Sequence, residues 1–404
     1  MPKFYIPPLA AAVLTIVLVA VLPAGRPVRD FAPAVPWNLQ EEATFDVPRP
    51  RPLPTVRSGV RAVPTEVKAI YLTSWSAATP SRLAQAMTLI SHTELNAVII
   101  DIKDYSGKVV FEPSSLVIAA VGSEERRLDL ADIVRRLHEK NIYVIVRIAV
   151  FQDQHFVRVR PNLAVRDPAG RIWRDRKGLG WVDPAAEEVW RYIVEVAREA
   201  AKAGVDELNF DYIRFPSDGN LSAIRYPVFD ARTQTRREVL QQFFAYLTSE
   251  LRDAGPVLSA DLFGLATVRE DDLGIGQVIE DALLYFDVVA PMVYPSHYAR
   301  GFLGYKNPAA HPYEVVIYSL REAALRRQRL AKTLAGLLEE SDVHAGAYAI
   351  GQIRPWLQGF NLGAPYPPRA IRSQIQAVSD AGLSAGWLLW SPSNRYHSAS
   401  FESE

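Results

Sequence analysis

Apolar and polar positions follow two alternating rhythms along most of this chain. Short runs at period two, such as "VKAIYLTSW" (67–75), "AVIIDIKD" (97–104) and "YVIVRIAVF" (143–151), read as strands. Further strand-like runs are "ELNFDYI" (207–213), "VLSADLFG" (257–264), "DVVAPMVYP" (287–295), "IRPWLQGF" (353–360) and "GWLLWSPSN" (386–394). Between them lie segments with helical spacing, at about 81–92, 128–140, 186–203, 235–253, 313–335 and 368–381. Eight strands alternating with helices specify a parallel sheet with helical crossovers. Spread over about 330 residues, they fit a closed (β/α)8 TIM barrel with insertions, since such barrels run from about 200 to more than 400 residues. An open doubly wound sheet fits less well. "LTSWSAATPS" stands after the first strand, where a glycine-rich phosphate loop would be needed.

The N-terminus breaks this rhythm. Lys3 precedes an apolar stretch from Ile6 to Leu22, and a Pro-rich tract follows it ("PAVPW", "VPRPRPLP"). The pattern is that of a signal peptide or signal anchor over 1–23, then an extended linker over 24–65. The barrel is expected over 66–397. The chain is thus expected to be exported, touching a membrane only through its N-terminal segment.

Within a barrel, helices cover the outside of each strand and side chains fill the inside, so a polar residue on a strand has no wet face to occupy. Only the C-terminal strand ends open to water, at the mouth where barrel active sites form. The face opposite the apolar one carries Tyr71, Thr73 and Trp75 on the first strand, Asp101 and Lys103 on the second, and Arg147 on the third. It carries Asn209 and Asp211 on the fourth, Ser259 and Asp261 on the fifth, and Met292 and Tyr294 on the sixth. The seventh adds Trp356 and Gln358, and the eighth Trp390. Buried charges need partners, so these groups should converge on one polar cleft, with Lys103 or Arg147 holding Asp211 ionised. Asp101 paired with either cation also fits a structural ion pair. Glu280 and Asp281 read as residues of a solvated helix.

Composition narrows the chemistry. Forty-five basic residues balance 45 acidic ones, which gives no overall field to attract nucleic acid. The chain has no Cys, which excludes disulfides, thiolate metal sites and a Cys nucleophile. Its seven His show no HxH or HExxH spacing, and no GxSxG elbow occurs, so neither a metal nor another cofactor is expected. Carboxylates, cations and Trp at one mouth suit a sugar, with aromatic platforms for its C–H faces and two carboxyl groups for glycosidic cleavage. Asp211 is read as nucleophile or base, Asp261 as general acid and Asp101 as the reserve. Trp75, Lys103, Arg147, Asn209, Tyr294, His297, Trp356 and Trp390 are read as substrate-binding. The expected partner is a carbohydrate polymer. A non-catalytic glycan-binding or scaffold barrel is the alternative. No pattern in the chain addresses oligomeric state.

The ordered motifs "VIIDIKDYSGKV", "GWVDPA", "ELNFDYIRFPSDG", "ADLFGL", "DLGIGQ", "PMVYPSHY", "GFLGYKNP", "RPWLQ" and "GWLLWSPSN" resemble a bacterial family of glycoside hydrolase domains from envelope proteins. The resemblance spans about Val67 to Tyr396 and implies a barrel related to glycosidases, without a defined substrate. More distantly, Asp206, Asn209 and Asp211 with "MVYP" and "LLW" are similar to chitinase-type barrels. Ile213 stands where those barrels carry their acid, and Pro295 replaces the aspartate after Tyr294. The resemblance therefore implies an acid supplied from another strand.

Overall fold

The computed structural model describes residues 63–339 and 349–403. The expected signal or anchor segment and nearly all of the Pro-rich linker lie outside them. Strands β1 (Val67–Leu72), β2 (Ala97–Lys103), β3 (Tyr143–Ala149), β4 (Glu207–Asp211), β5 (Val257–Phe263) and β6 (Val288–Met292) pair in sequence order, all parallel. The seventh stave comes in two pieces, β7 (Gln352–Ile353) and β8 (Trp356–Gln358), which both pair with β6. Pro355, lacking an N–H, sits in the break between them. β9 (Gly386–Trp390) pairs with β8 on one side and with β1 on the other, closing an eight-stave barrel.

Period two sorts the strand residues into two cores. Val98, Ile100, Val144, Val146, Leu208 and Phe210 face outward and pack under the helices. Ala69, Tyr71, Ile99, Ile145, Ala290, Trp356 and Leu388 fill the barrel. Each fully buried aliphatic side chain contributes about 1.5–3 kcal/mol relative to exposure, and this double core holds the staves rigidly in register. The barrel floor carries one buried ion pair, Glu207 with Arg354 at 2.8 Å, to which Tyr143 adds a hydroxyl at 3.2 Å. Register then stacks the inward residues of four strands in one row, pairing Asp101 with Arg147, Arg147 with Asn209, and Asn209 with Ser259.

Three expectations fail, each for a local reason. Simple alternation puts Lys103 inside with Asp101, but the β2–β3 register shifts between these two residues, and Lys103 lies opposite the outward-facing Ile148. Such a bulge turns the following side chain to the other face. Lys103 is fully buried there, 2.8 Å from Asp153 and 2.6 Å from the Ala149 carbonyl, away from the mouth. Trp75 is not on a strand. β1 ends at Leu72, Thr73 caps the helix Ser74–Ala78, and Trp75 is 64% exposed with the Arg127 guanidinium 3.8 Å over its ring. Asp281 is buried rather than solvated, bonded to Arg237 at 2.7 Å and Gln241 at 3.0 Å, while Glu280 pairs with Arg326.

The buried Lys103–Asp153 pair gives a stability prediction. Lys103→Met leaves a buried carboxylate without its cation, which costs about 3–5 kcal/mol. Urea denaturation should show that loss, and a loss below about 1 kcal/mol would mean that the pair is dispensable.

Candidate active site

Arg147 is the hub of the mouth. Its Nη1 lies 2.8 Å from Asp101 Oδ1, its Nη2 pairs with Asp211 Oδ2, and its Nε lies 3.6 Å from Asp261 Oδ2. β2, β3, β4 and β5 are neighbours in the barrel, so their inward side chains meet around this one guanidinium. Further donors fix the carboxyl groups. The Tyr71 hydroxyl donates to Asp101 Oδ2. Asn209 Nδ2 and Trp356 Nε1 donate to Asp261 Oδ1 at 2.8 and 2.7 Å. The backbone N–H of Tyr212 donates to Asp211 Oδ1. Asp101, Asp211 and Asp261 are all buried, at 4%, 6% and 1% exposure, so Asp211 lies nearest to water.

Three carboxyl groups around one cation cannot all ionise cheaply. Burial, and after it the adjacent Asp211 charge, push the Asp261 carboxyl well above the usual range, against the pull of Arg147, Asn209 and Trp356. Burial also raises Asp101, which Arg147 opposes and Asp104 reinforces. Burial works against the Arg147 charge, but Asp211, Asp101 and Asp261 outweigh it and hold the guanidinium well above the ordinary arginine range. Asp261 Oδ2 has no hydrogen-bond partner and is sealed from solvent. The arrangement favours a proton on Asp261.

The aromatic side of the mouth is built from β6, β8 and β9. Trp390 stacks on Tyr294 with ring centroids 5.7 Å apart and planes at 27°, and Phe360 closes edge-on to Trp390 at 4.8 Å. Burial above all, with the neighbouring Asp261 and Asp211 carboxyl groups adding to it, pushes the Tyr294 phenol well above its usual value. His297 packs on Tyr294 at 5.2 Å. Burial, aided by the Lys177 charge, lowers its imidazole to about 4, and its Nε2 has no partner. Trp390 is half-buried and partly open, whereas Trp356 is 2% exposed and meets Asp261 only through its indole N–H.

The structure thus gathers Asp101, Asp211, Asp261, Arg147, Asn209, Tyr294, Trp356 and Trp390, with His297 beside them. Lys103 faces outward to Asp153, and Trp75 stands exposed on the helix after β1, against Arg127. Sequence reading missed the left-handed backbone of Tyr212, at φ +54°. That conformation costs a non-glycine residue about 1–3 kcal/mol, and it turns the chain sharply just after Asp211. A tyrosine gives no signal for it, unlike a glycine or asparagine. Phe360 and Arg214 were also missed: Phe360 closes the run 353–360 as an ordinary apolar residue, and Arg214 lies one residue past the run 207–213. A groove of about 790 Å³ between the helix Pro80–Ile90 and residues 394–398 contains no carboxylate, so the site is assigned on chemistry rather than volume. Among the described residues, no three His, Cys, Asp or Glu side chains are placed to share a metal ion.

Solved structures similar to this chain include one that shares its architecture. The glycoside hydrolase domain of PgaB (BpsB) from Bordetella bronchiseptica is 15% identical, with a TM-score of 0.55, over 81% of this chain and 94% of that one. At that identity the likeness is one of fold. A hypothetical protein from Ruminiclostridium thermocellum is 33% identical over 51% of this chain and 98% of its own, with a TM-score of 0.44. An exo-β-N-acetylglucosaminidase from Vibrio harveyi is 12% identical over 82% of this chain and 51% of its own, with a TM-score of 0.49. No curated protein matches the chain. Residues 69–396, nearly the whole barrel, match the family described as "Putative glycosyl hydrolase domain", and the chain belongs to that family.

Proposed function

We propose that this chain is an exported glycoside hydrolase acting on an envelope or extracellular polysaccharide, with Asp211 and Asp261 as its working carboxyl pair. The observation that carries this reading is the Arg147 hub, which brings Asp211 together at one barrel mouth with Asp261, a carboxyl group that burial pushes toward its protonated form. Glycosidic cleavage needs that division of labour between two carboxyl groups. Asp211, nearer the mouth, acts as nucleophile or base. Asp261 holds the proton on its unbonded Oδ2 and delivers it to the leaving oxygen once its carboxyl turns toward the mouth. Asp101, held by Tyr71 and Arg147, positions the hub. Trp390, stacked on Tyr294, offers an apolar face to a sugar ring.

Family membership supports the reaction class. Export rests on the apolar run from Ile6 to Leu22 and the Pro-rich tract behind it. Among the described residues, no helix is long and apolar enough to cross a membrane.

One observation favours a second reading, a non-catalytic glycan-binding barrel. Arg147 engages all three carboxylates, as a purely structural network would. Incubation with cell-wall and capsule polysaccharides, followed by assay of new reducing ends, separates the two. Release that Asp211→Asn abolishes supports the hydrolase. Glycan binding without release in the unaltered protein supports the binding barrel.

A further inference from the structure

Beside the carboxyl pair lies a second group of polar side chains that hydrolysis does not use. Arg214 follows Asp211 by three residues and is only 5% exposed. Its guanidinium packs 4.5 Å from the Phe263 ring, 4.7 Å from Trp181 and 5.5 Å from Tyr212. Nη1 donates to the Phe215 carbonyl and to Ser217 Oγ, both at 3.1 Å. Among the described residues Arg214 forms no ion pair, and neither Nε nor Nη2 makes a hydrogen bond. These two N–H groups form the edge of the guanidinium that grips a carboxylate or similar oxyanion with two parallel bonds.

The carboxylates nearby are otherwise engaged. Asp175 Oδ1 accepts from the backbone of Lys177 and Leu179, each at 2.9 Å, and Oδ2 from Gln152 at 2.8 Å and Trp181 at 3.1 Å. Asp218 accepts from the Arg176 backbone at 3.3 Å. Lys177 also lacks an ion pair among the described residues. Although it is exposed as a residue, crowding lowers its ammonium below the ordinary lysine range, with Asp175 and Asp218 opposing and Arg214 adding repulsion. The Lys177 backbone N–H bonds Asp175, which also accepts from the Trp181 indole that packs against the Arg214 guanidinium, so the two cations flank one loop. The rest of the Arg214 side chain is buried, but Nε and Nη2 are not sealed off, so this edge is open to a ligand in place of water.

We propose that the open Nε/Nη2 edge of Arg214, together with Lys177, forms a subsite for an anionic substituent on the sugar, so that the substrate is an acidic glycan. The inference rests on the hydrolase reading for the sugar, and on Arg214 and Lys177 for the charge. The ligand chemistry is a planar or tetrahedral oxyanion, supplied either by a uronic acid carboxylate or by a sulfate ester.

The test is calorimetric binding to the full chain. Uronate oligosaccharides are compared with their carboxyl-reduced twins, and sulfated oligosaccharides with their desulfated twins. At least one acidic class should bind about tenfold or more tightly than its twin, as expected for charge-assisted bonds. The responding pair identifies carboxylate or sulfate. Lys177→Ala, a change at an exposed loop residue, should weaken acidic binding several-fold and leave neutral binding unchanged. Arg214→Lys, which keeps the charge but loses the two-pronged edge, should remove most of the preference. The proposal is overturned if no acidic ligand outbinds its twin, or if Lys177→Ala leaves the preference intact. Cleavage of a neutral polymer without charge preference would sink this subsite and keep the hydrolase. Charge preference without cleavage of any polymer would do the reverse.

Discussion

Asp211→Asn should abolish glycan cleavage, lowering kcat by about 10³-fold or more while the barrel stays folded. The amide keeps the shape that accepts the Tyr212 N–H and sits beside Arg147, but it is neither a nucleophile nor a base. Asp261→Asn should lower kcat by about 10²–10⁴-fold, the usual range for general acid–base groups. The pH profile distinguishes the two roles. Asp261 must keep its proton, and its pKa is raised by burial and by Asp211. Activity should therefore fall on the alkaline side as pH rises through that raised value, and Asp261→Asn should lose this limb along with most of its rate. Circular dichroism confirms folding, and rates on the best polymer from the panel provide the readout. Wild-type rates in folded Asp211→Asn protein would end the hydrolase assignment.

Arg147→Met should be the most destabilising single change at the mouth, at about 3–5 kcal/mol near neutral pH, because it leaves buried carboxylates facing one another without a cation. The sign of the pH effect follows. Without the guanidinium, the folded-state pKa values of Asp101 and Asp261, already raised mainly by burial, rise further above their unfolded values. The folded protein then binds more protons than the unfolded chain, and stability falls as pH rises through that interval. The penalty should therefore be smaller near pH 5 than near pH 8, because protonation relieves the repulsion. Urea denaturation at both values measures it. An equal penalty at both would show that packing, not charge, accounts for the loss. Arg147→Lys should recover part of the stability and little activity, since one ammonium cannot reach three carboxyl groups in fixed directions.

Much of this site was legible in the chain. Period-two alternation put Asp101, Arg147, Asn209, Asp211 and Asp261 on inward faces, and strand order made them neighbours. The absence of wet faces in a barrel then required them to pair. Alternation cannot see a bulge, so it left Lys103 and Arg147 as equal partners for Asp211. The register shift on β2 sends Lys103 outward to Asp153. Nor does alternation mark where a strand stops, and Trp75 therefore read as a strand residue although Thr73 had already begun a helix.

The sequence by itself determined the barrel, its faces and the set of carboxyl groups available, because hydrophobic period and residue order are local properties of the chain. Only the tertiary structure decided which cation joins those carboxyl groups and which of them keeps a proton. It alone showed the tyrosine held in a left-handed turn behind Asp211 and the guanidinium whose bidentate edge lies open. Those outcomes depend on distance and burial, set by segments far apart in the chain that meet only when the barrel closes.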